Sequence, residues 1–137
     1  MGDILHALPA VESLRQSFPK AHIDWVVKPR WMPLLEGTVS MIAFERDWAS
    51  LRRVQLQTYD VAIDFQGLMQ SAVITWLAKT PLRVGLHRSQ ARESLAALAY
   101  NKTVRTTSAH RVDQNLELAR AAGATVTVTT TPVPLGK

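Results

Sequence analysis

The stretch from residue 59 to residue 77 changes its hydrophobic period in mid-course, and that change constrains the fold more than any other feature of the chain. Residues 59–65 alternate, with Val61, Ile63 and Phe65 on one side and Ala62 and Asp64 on the other, which predicts a β-strand. Gln66-Gly67 breaks the pattern. Beyond it Met69, Ala72, Val73, Trp76 and Leu77 recur at helical spacing, which predicts a helix with those side chains as its apolar face, stopped by Pro81. A strand that turns through a glycine directly into a helix is the unit from which parallel sheets are built.

The same alternation runs through the rest of the chain. Leu8, Val11, Leu14 and Phe18 mark an N-terminal helix ended by Pro19, with Pro9 acceptable only near its first turn. Strands are expected at 23–27, 39–44 and 82–86, and helices at 31–35, 48–56, 90–99 and 110–122, the last closed by Gly123. Short connections between alternating elements point to an α/β, Rossmann-like doubly wound parallel sheet. Residues 1–124 read as one domain, and 125–137, loosened by Pro132 and Pro134, as an interdomain linker or the start of a further domain. The chain opens on the turn and helix of a βα unit with no strand ahead of them, so an N-terminally truncated fragment is expected.

Composition narrows the chemistry. The 137 residues hold no cysteine, which excludes disulfides, thiolate metal sites and cysteine nucleophiles. Sixteen Lys/Arg against eleven Asp/Glu give a net charge of +5, which favours anionic partners such as phosphorylated ligands or an acidic membrane face. Basic residues are not interleaved with aromatics, so a nucleic-acid partner is not expected. His6, His22, His87 and His110 lack metal-ligand spacing, and neither GxGxxG nor GxxxxGK[ST] occurs, so neither a metal nor a cofactor is expected. With no secretory signal and no apolar run long enough to span a bilayer, a cytoplasmic location is the expectation.

Doubly wound sheets bind ligands beyond the C-terminal ends of their strands. The residues falling there are Gly2 and Asp3, Arg30, Arg46, Asp64 with Gln66 and Gly67, Arg88, Arg92, His110 and Arg111. Each has a plain structural role as well. Asp3 suits a helix N-cap, Gly67 a tight turn with Asp64 bonding local backbone, and the arginines a solvated surface. Trp25, Trp31, Trp48 and Trp76 suit the core or its rim.

The motifs in order resemble one family. Gly-Asp-Ile-Leu-His-Ala-Leu-Pro-Ala-Val at 2–11, Phe18-Pro19, residues 23–27, Tyr-Asp-Val-Ala-Ile-Asp-Phe-Gln-Gly-Leu at 59–68, Ser71-Ala72, Arg83-Val84-Gly85, Ala91-Arg92-Glu93, Tyr100-Asn101, His110 and Ala122-Gly123 resemble the ADP-heptose:lipopolysaccharide heptosyltransferases, glycosyltransferase family 9, nearest its heptosyltransferase I branch. The resemblance implies the N-terminal, acceptor-binding half of a two-domain GT-B enzyme. Its reaction would be inverting, metal-independent transfer of heptose from ADP-heptose to a Kdo sugar of the lipopolysaccharide inner core. Asp3 would be the catalytic base; Gly2, Arg46, Gln66, Arg88, Arg92 and His110 would bind the lipid A–Kdo acceptor. The basic cluster is thin at Arg46, where Asp47 follows and Arg52 and Arg53 are the nearest substitutes. ADP-heptose would be held mainly by a domain outside this chain, leaving the chain inactive alone, with peripheral contact at the cytoplasmic face of the inner membrane. The competing expectation is a non-enzymatic α/β module binding a small anionic sugar or nucleotide.

Overall fold

The computed structural model describes residues 2–27, 32–33, 40–43, 48–55, 58–108 and 110–125, and for 2–5, 40–41, 43 and 48–51 the backbone alone. The elements run α1 (Gly2–Ser17), β1 (Asp24–Val27), β2 (Ser40–Ala43), α2 (Trp48–Gln55), β3 (Val61–Ile63), α3 (Met69–Leu77), β4 (Leu82–Leu86), a 3-10 helix (Ser94–Ala99), β5 (Lys102–Val104) and α4 (Arg111–Ala121). All strand pairs are parallel. β1 pairs with β2, Asp24 opposite Ser40, while β3, β4 and β5 form a separate ladder in that order, with Val61 opposite Leu82 and Val84 opposite Lys102. Tyr59, just ahead of β3, ties the two ladders by donating its hydroxyl proton to Asp24 Oδ2 at 2.5 Å.

Helices cover both faces of the β3–β5 ladder, and β4 shows why. Leu82, Val84 and Leu86 point to the α4 side, where Val84, Leu86 and Leu118 are fully buried with Ile63 and Phe65 against them. Arg83 and Gly85 point the other way. There the Tyr100 ring occupies the space above Gly85, and Ala72 of α3 packs on Ala96 of the 3-10 helix. On the α4 side α1 lies alongside α4 through Ala10, Leu116 and Ala119. Asn115 Nδ2 donates to the His6 carbonyl at 3.1 Å and Thr125 N–H to Ser17 Oγ at 2.9 Å, so the two helices run in the same direction and begin at the same end of the sheet.

Several expectations are corrected. α1 begins at Gly2, so Asp3 lies inside its first turn rather than capping it, and Pro9 sits within the helix. Ser13 Oγ bonds the Pro9 carbonyl at 2.8 Å there. The strand expected at 59–65 pairs only over Val61–Ile63. The α-helix expected at 90–99 is a 3-10 helix starting at Ser94, because the side chains of Gln90 and Glu93 are drawn into bonds with neighbouring loops. The short strand β5 had no forecast. α3 buries Ala72 and Thr75, leaving Met69, Val73 and Trp76 at 38%, 45% and 58% exposure, so its supposed apolar face is largely on the surface. The features expected at 28–31, 34–39 and 126–137 lie outside the described residues.

Candidate functional site

The loops after β3, β4 and β5 all emerge at the edge where α1 and α4 begin, and a series of side-chain bonds fastens them into one rim. Asp64, 4% exposed, is the first fastener. Its Oδ1 accepts the backbone N–H of Gln66 at 2.9 Å and of Gly67 at 3.3 Å, and its Oδ2 accepts Ser71 Oγ at 2.9 Å and the Tyr100 hydroxyl. Burial pushes its carboxyl above the usual carboxylate range, with Tyr100, the Gln66 and Gly67 amides and Ser71 pulling the other way. The same pair, starting from burial, pushes the Tyr100 phenol well up.

Gly67 takes a φ of +69° and approaches the next loop so closely that a Cβ on it would lie 3.2 Å from Ala91 and from the Arg92 nitrogen. Its carbonyl accepts Glu93 N–H at 2.9 Å. Glu93 in turn reaches back, its Oε1 accepting Met69 N–H at 3.0 Å, where a carboxylate suits the positive end of α3. The Gln66-Gly67 turn thereby lies against the Ala91-Arg92 backbone, with the Gln66 and Arg92 side chains both exposed.

Gln90 makes the next link. Its Nε2 donates to the Thr106 carbonyl at 2.9 Å while its Oε1 accepts Thr106 N–H at 2.6 Å, which ties the β4 loop, with Arg88, to the β5 loop. Ser108 then fixes the approach to α4. Its carbonyl accepts Gln114 Nε2 at 2.9 Å and its Oγ accepts His110 N–H at 3.1 Å. His110 is exposed directly ahead of α4.

Of the expected site residues, Gln66, Arg88, Arg92 and His110 therefore share this rim. Gly2 and Asp3 are placed by backbone at the start of α1, alongside the start of α4, with the Asp3 side chain outside the described residues, as is Arg46 altogether. Gln90, Glu93, Tyr100 and Thr106 were not singled out as fasteners, since each acts on a loop distant in sequence. Arg83 and Asn101 work at the opposite edge: Arg83 Nε donates to the Ala99 carbonyl at 2.8 Å and Asn101 Nδ2 to that of Pro81 at 2.7 Å. An open depression of about 520 Å³ lies beside Thr107, Ser108, Asp113, Glu117 and Arg120, but its two carboxylates disfavour an anionic sugar. Exposed cations on a fixed rim suit carboxylate or phosphate groups.

Comparison with known proteins points to one family. A family model described as glycosyltransferase family 9 (heptosyltransferase) matches residues 48–134. The chain is 32% identical over 120 residues to lipopolysaccharide heptosyltransferase 1 of Escherichia coli (strain K12), covering 74% of this chain and 38% of that protein. It is 34% identical over 122 residues to the protein of the same name from Pseudomonas aeruginosa, covering 74% and 34%. The solved structure of E. coli heptosyltransferase WaaC with ADP matches with a TM-score of 0.78 at 32% identity, over 96% of this chain and 46% of that one. A family 9 glycosyltransferase structure from Veillonella parvula, 19% identical, shares the fold with a TM-score of 0.72. The chain spans less than half the length of each of these relatives.

Proposed function

Because the chain belongs to glycosyltransferase family 9, we propose that it supplies the acceptor-binding half of an inverting transferase that moves heptose from ADP-heptose to a Kdo sugar of the lipopolysaccharide inner core. Its fold is the Rossmann-like α/β N-terminal half of a GT-B glycosyltransferase. The observation that carries the proposal is the fastened rim: Gln66, Arg88, Arg92 and His110 stand on loops bonded to one another, at the edge where Gly2-Asp3 opens α1.

In this reading Arg92, with Arg88 and Arg46, holds the acidic groups of the lipid A–Kdo acceptor, while Gln66 and His110 line its sugar. Asp3 accepts the proton of the acceptor hydroxyl. The freed oxygen forms its bond to the anomeric carbon of heptose from the side opposite the departing ADP, so the configuration inverts and ADP leaves with the bonding pair. A carboxylate at a helix start is a weak base, so it acts through placement more than through tuned basicity. The donor site belongs to the half of the enzyme outside this chain, and no cofactor takes part. The reaction is cytoplasmic, at the inner-membrane face.

The test is Asp3→Ala in the full-length protein. Transfer from ADP-heptose to a Kdo–lipid A acceptor is expected to fall by about three orders of magnitude or more while ADP-heptose binding persists. Undiminished turnover removes Asp3 from the mechanism.

A further inference from the structure

The rim holds a histidine to which the acceptor reading gives no task. His87 is the first residue after β4, and strand order places the end of β4 between the loops of β3 and β5. Its backbone is committed on both sides. The N–H donates to the Val104 carbonyl at 2.9 Å, and the carbonyl accepts Gln90 N–H at 2.8 Å and Ala91 N–H at 3.0 Å. The base of the side chain is therefore fixed at the mouth of the sheet, where folds of this kind take their ligands, and the residue is half-buried.

The ring is oriented as well. Its Nδ1 accepts the Ser89 backbone N–H at 3.2 Å and lies 2.9 Å from Ser89 Oγ. A hydroxyl proton can turn to suit either form of the ring, but the amide proton is fixed, and Nδ1 accepts it only while unprotonated. The neutral ring therefore carries its proton on Nε2. Among the described residues Nε2 has no hydrogen-bond partner. In this form the ring is a donor and not a base, so deprotonation of the acceptor hydroxyl stays with Asp3.

The surroundings suit an anionic partner. Arg88, next in the chain, is exposed, and Arg92 follows four residues later, also exposed. Glu93, the single acid in residues 87–93, is engaged with Met69 N–H at the start of α3. We infer that His87 is a further acceptor-binding residue whose Nε2–H donates to an anionic oxygen, of a carboxylate or a phosphate, on the sugar acceptor. The inference rests on the rim being the acceptor site. Where the arginines add charge, an uncharged and oriented donor adds direction, and hydrogen bonds to charged oxygens are the stronger kind.

The experiment compares His87→Phe and His87→Gln with the wild type in the full-length protein, reading equilibrium binding of Kdo–lipid A as well as transfer from ADP-heptose. Phenylalanine keeps a ring and loses both nitrogens, whereas the glutamine amide offers an N–H near the Nε2 position. His87→Phe is expected to weaken acceptor binding and raise the acceptor KM about tenfold, leaving kcat and ADP-heptose binding within about twofold. His87→Gln should recover most of that loss. Repeating the comparison on Kdo–lipid A stripped of its phosphates names the oxygen: a penalty that persists assigns the carboxylate, and one that vanishes assigns the phosphate. Proton–nitrogen spectra of histidine-labelled protein, with the His87 signals identified by their loss in His87→Gln, should show a neutral ring protonated on Nε2. A ring protonated on Nδ1 overturns the inference. So does an equal loss in both variants, which would make His87 a brace for its own loop. A wild type that transfers heptose while His87→Phe binds acceptor unchanged overturns this inference alone. A wild type that binds Kdo–lipid A with the expected dependence on His87 but transfers no heptose supports it and refutes the transfer reading.

Discussion

The Tyr100 hydroxyl donates to Asp64 Oδ2 across 36 residues of sequence, and its ring reaches there by lying over Gly85, where a Cβ would sit 2.2 Å from a ring carbon. The glycine, the tyrosine and the aspartate thus form one device, with a strand made bare so that a ring can pass to a buried carboxylate. Tyr100→Phe is expected to cost about 1–3 kcal/mol by leaving Oδ2 with Ser71 as its one side-chain donor. Gly85→Ala must displace the ring as well and should cost about 3 kcal/mol or more. Introduced into a Tyr100→Ala background, the same alanine should cost less than about 1 kcal/mol. Urea titrations of the wild type, Gly85→Ala, Tyr100→Ala and their combination measure this coupling.

Asp64 also sets an acid-range dependence. Its carboxyl is held above its ordinary value by burial, so the unfolded chain gives up this proton more readily than the fold does. The group's contribution to stability is therefore complete below the ordinary value and is lost as pH rises through the elevated one. Asp64→Asn should flatten stability against pH from about pH 4 upward, because the amide oxygen still accepts the Gln66 and Gly67 amides while nothing titrates. Chemical denaturation across that range gives the slope; an unchanged slope would place the titration elsewhere.

Gly67 meets two demands at once. Its φ of +69° disfavours any side chain, and the space beside it is filled by Ala91 and the Arg92 nitrogen. Gly67→Ala should cost about 1–2 kcal/mol for the backbone alone. It should also push the Arg92 loop outward, raising the acceptor KM more than it lowers kcat. Gly67→Asn, which tolerates positive φ, should recover part of the stability but not the KM, since the crowding remains. Equal recovery of both would mean that conformation alone matters there.

What the sequence made legible was local. The period change around Gly67, the strand at β4, the stop at Gly123 and the turn in which Asp64 bonds the next amides are all written within a few neighbouring residues. The readings that failed concern which surface faces what. Met69, Val73 and Trp76 share a helical stripe with the spacing of a core face, yet α3 packs on Ala96 and Tyr100 through Ala72 and buries Thr75 instead. β5 is three residues long with two of them exposed, so it carries no apolar pattern, and only its pairing with β4 reveals it. Tyr100 and Gln90 carry no signal as fasteners, because their partners lie 36 and 16 residues away.

Gln90 offers the sharpest test of the rim. Its amide meets both the N–H and the carbonyl of Thr106, which ties the β4 loop to the β5 loop. Gln90→Leu keeps much of the volume and removes both bonds, at an expected cost of about 2 kcal/mol. If the rim positions the acceptor, freeing the Arg88–Arg92 loop from the His110 loop should raise the acceptor KM several-fold and leave ADP-heptose binding unchanged. Gln90→Glu separates the two bonds. Its carboxylate still accepts Thr106 N–H but faces the Thr106 carbonyl with no proton to offer, so stability should improve as the pH is lowered and the carboxylate takes one up. A KM that stays fixed in Gln90→Leu while stability falls would show that the loops are braced for folding alone, and Arg92 and His110 would then have to be assigned to separate tasks.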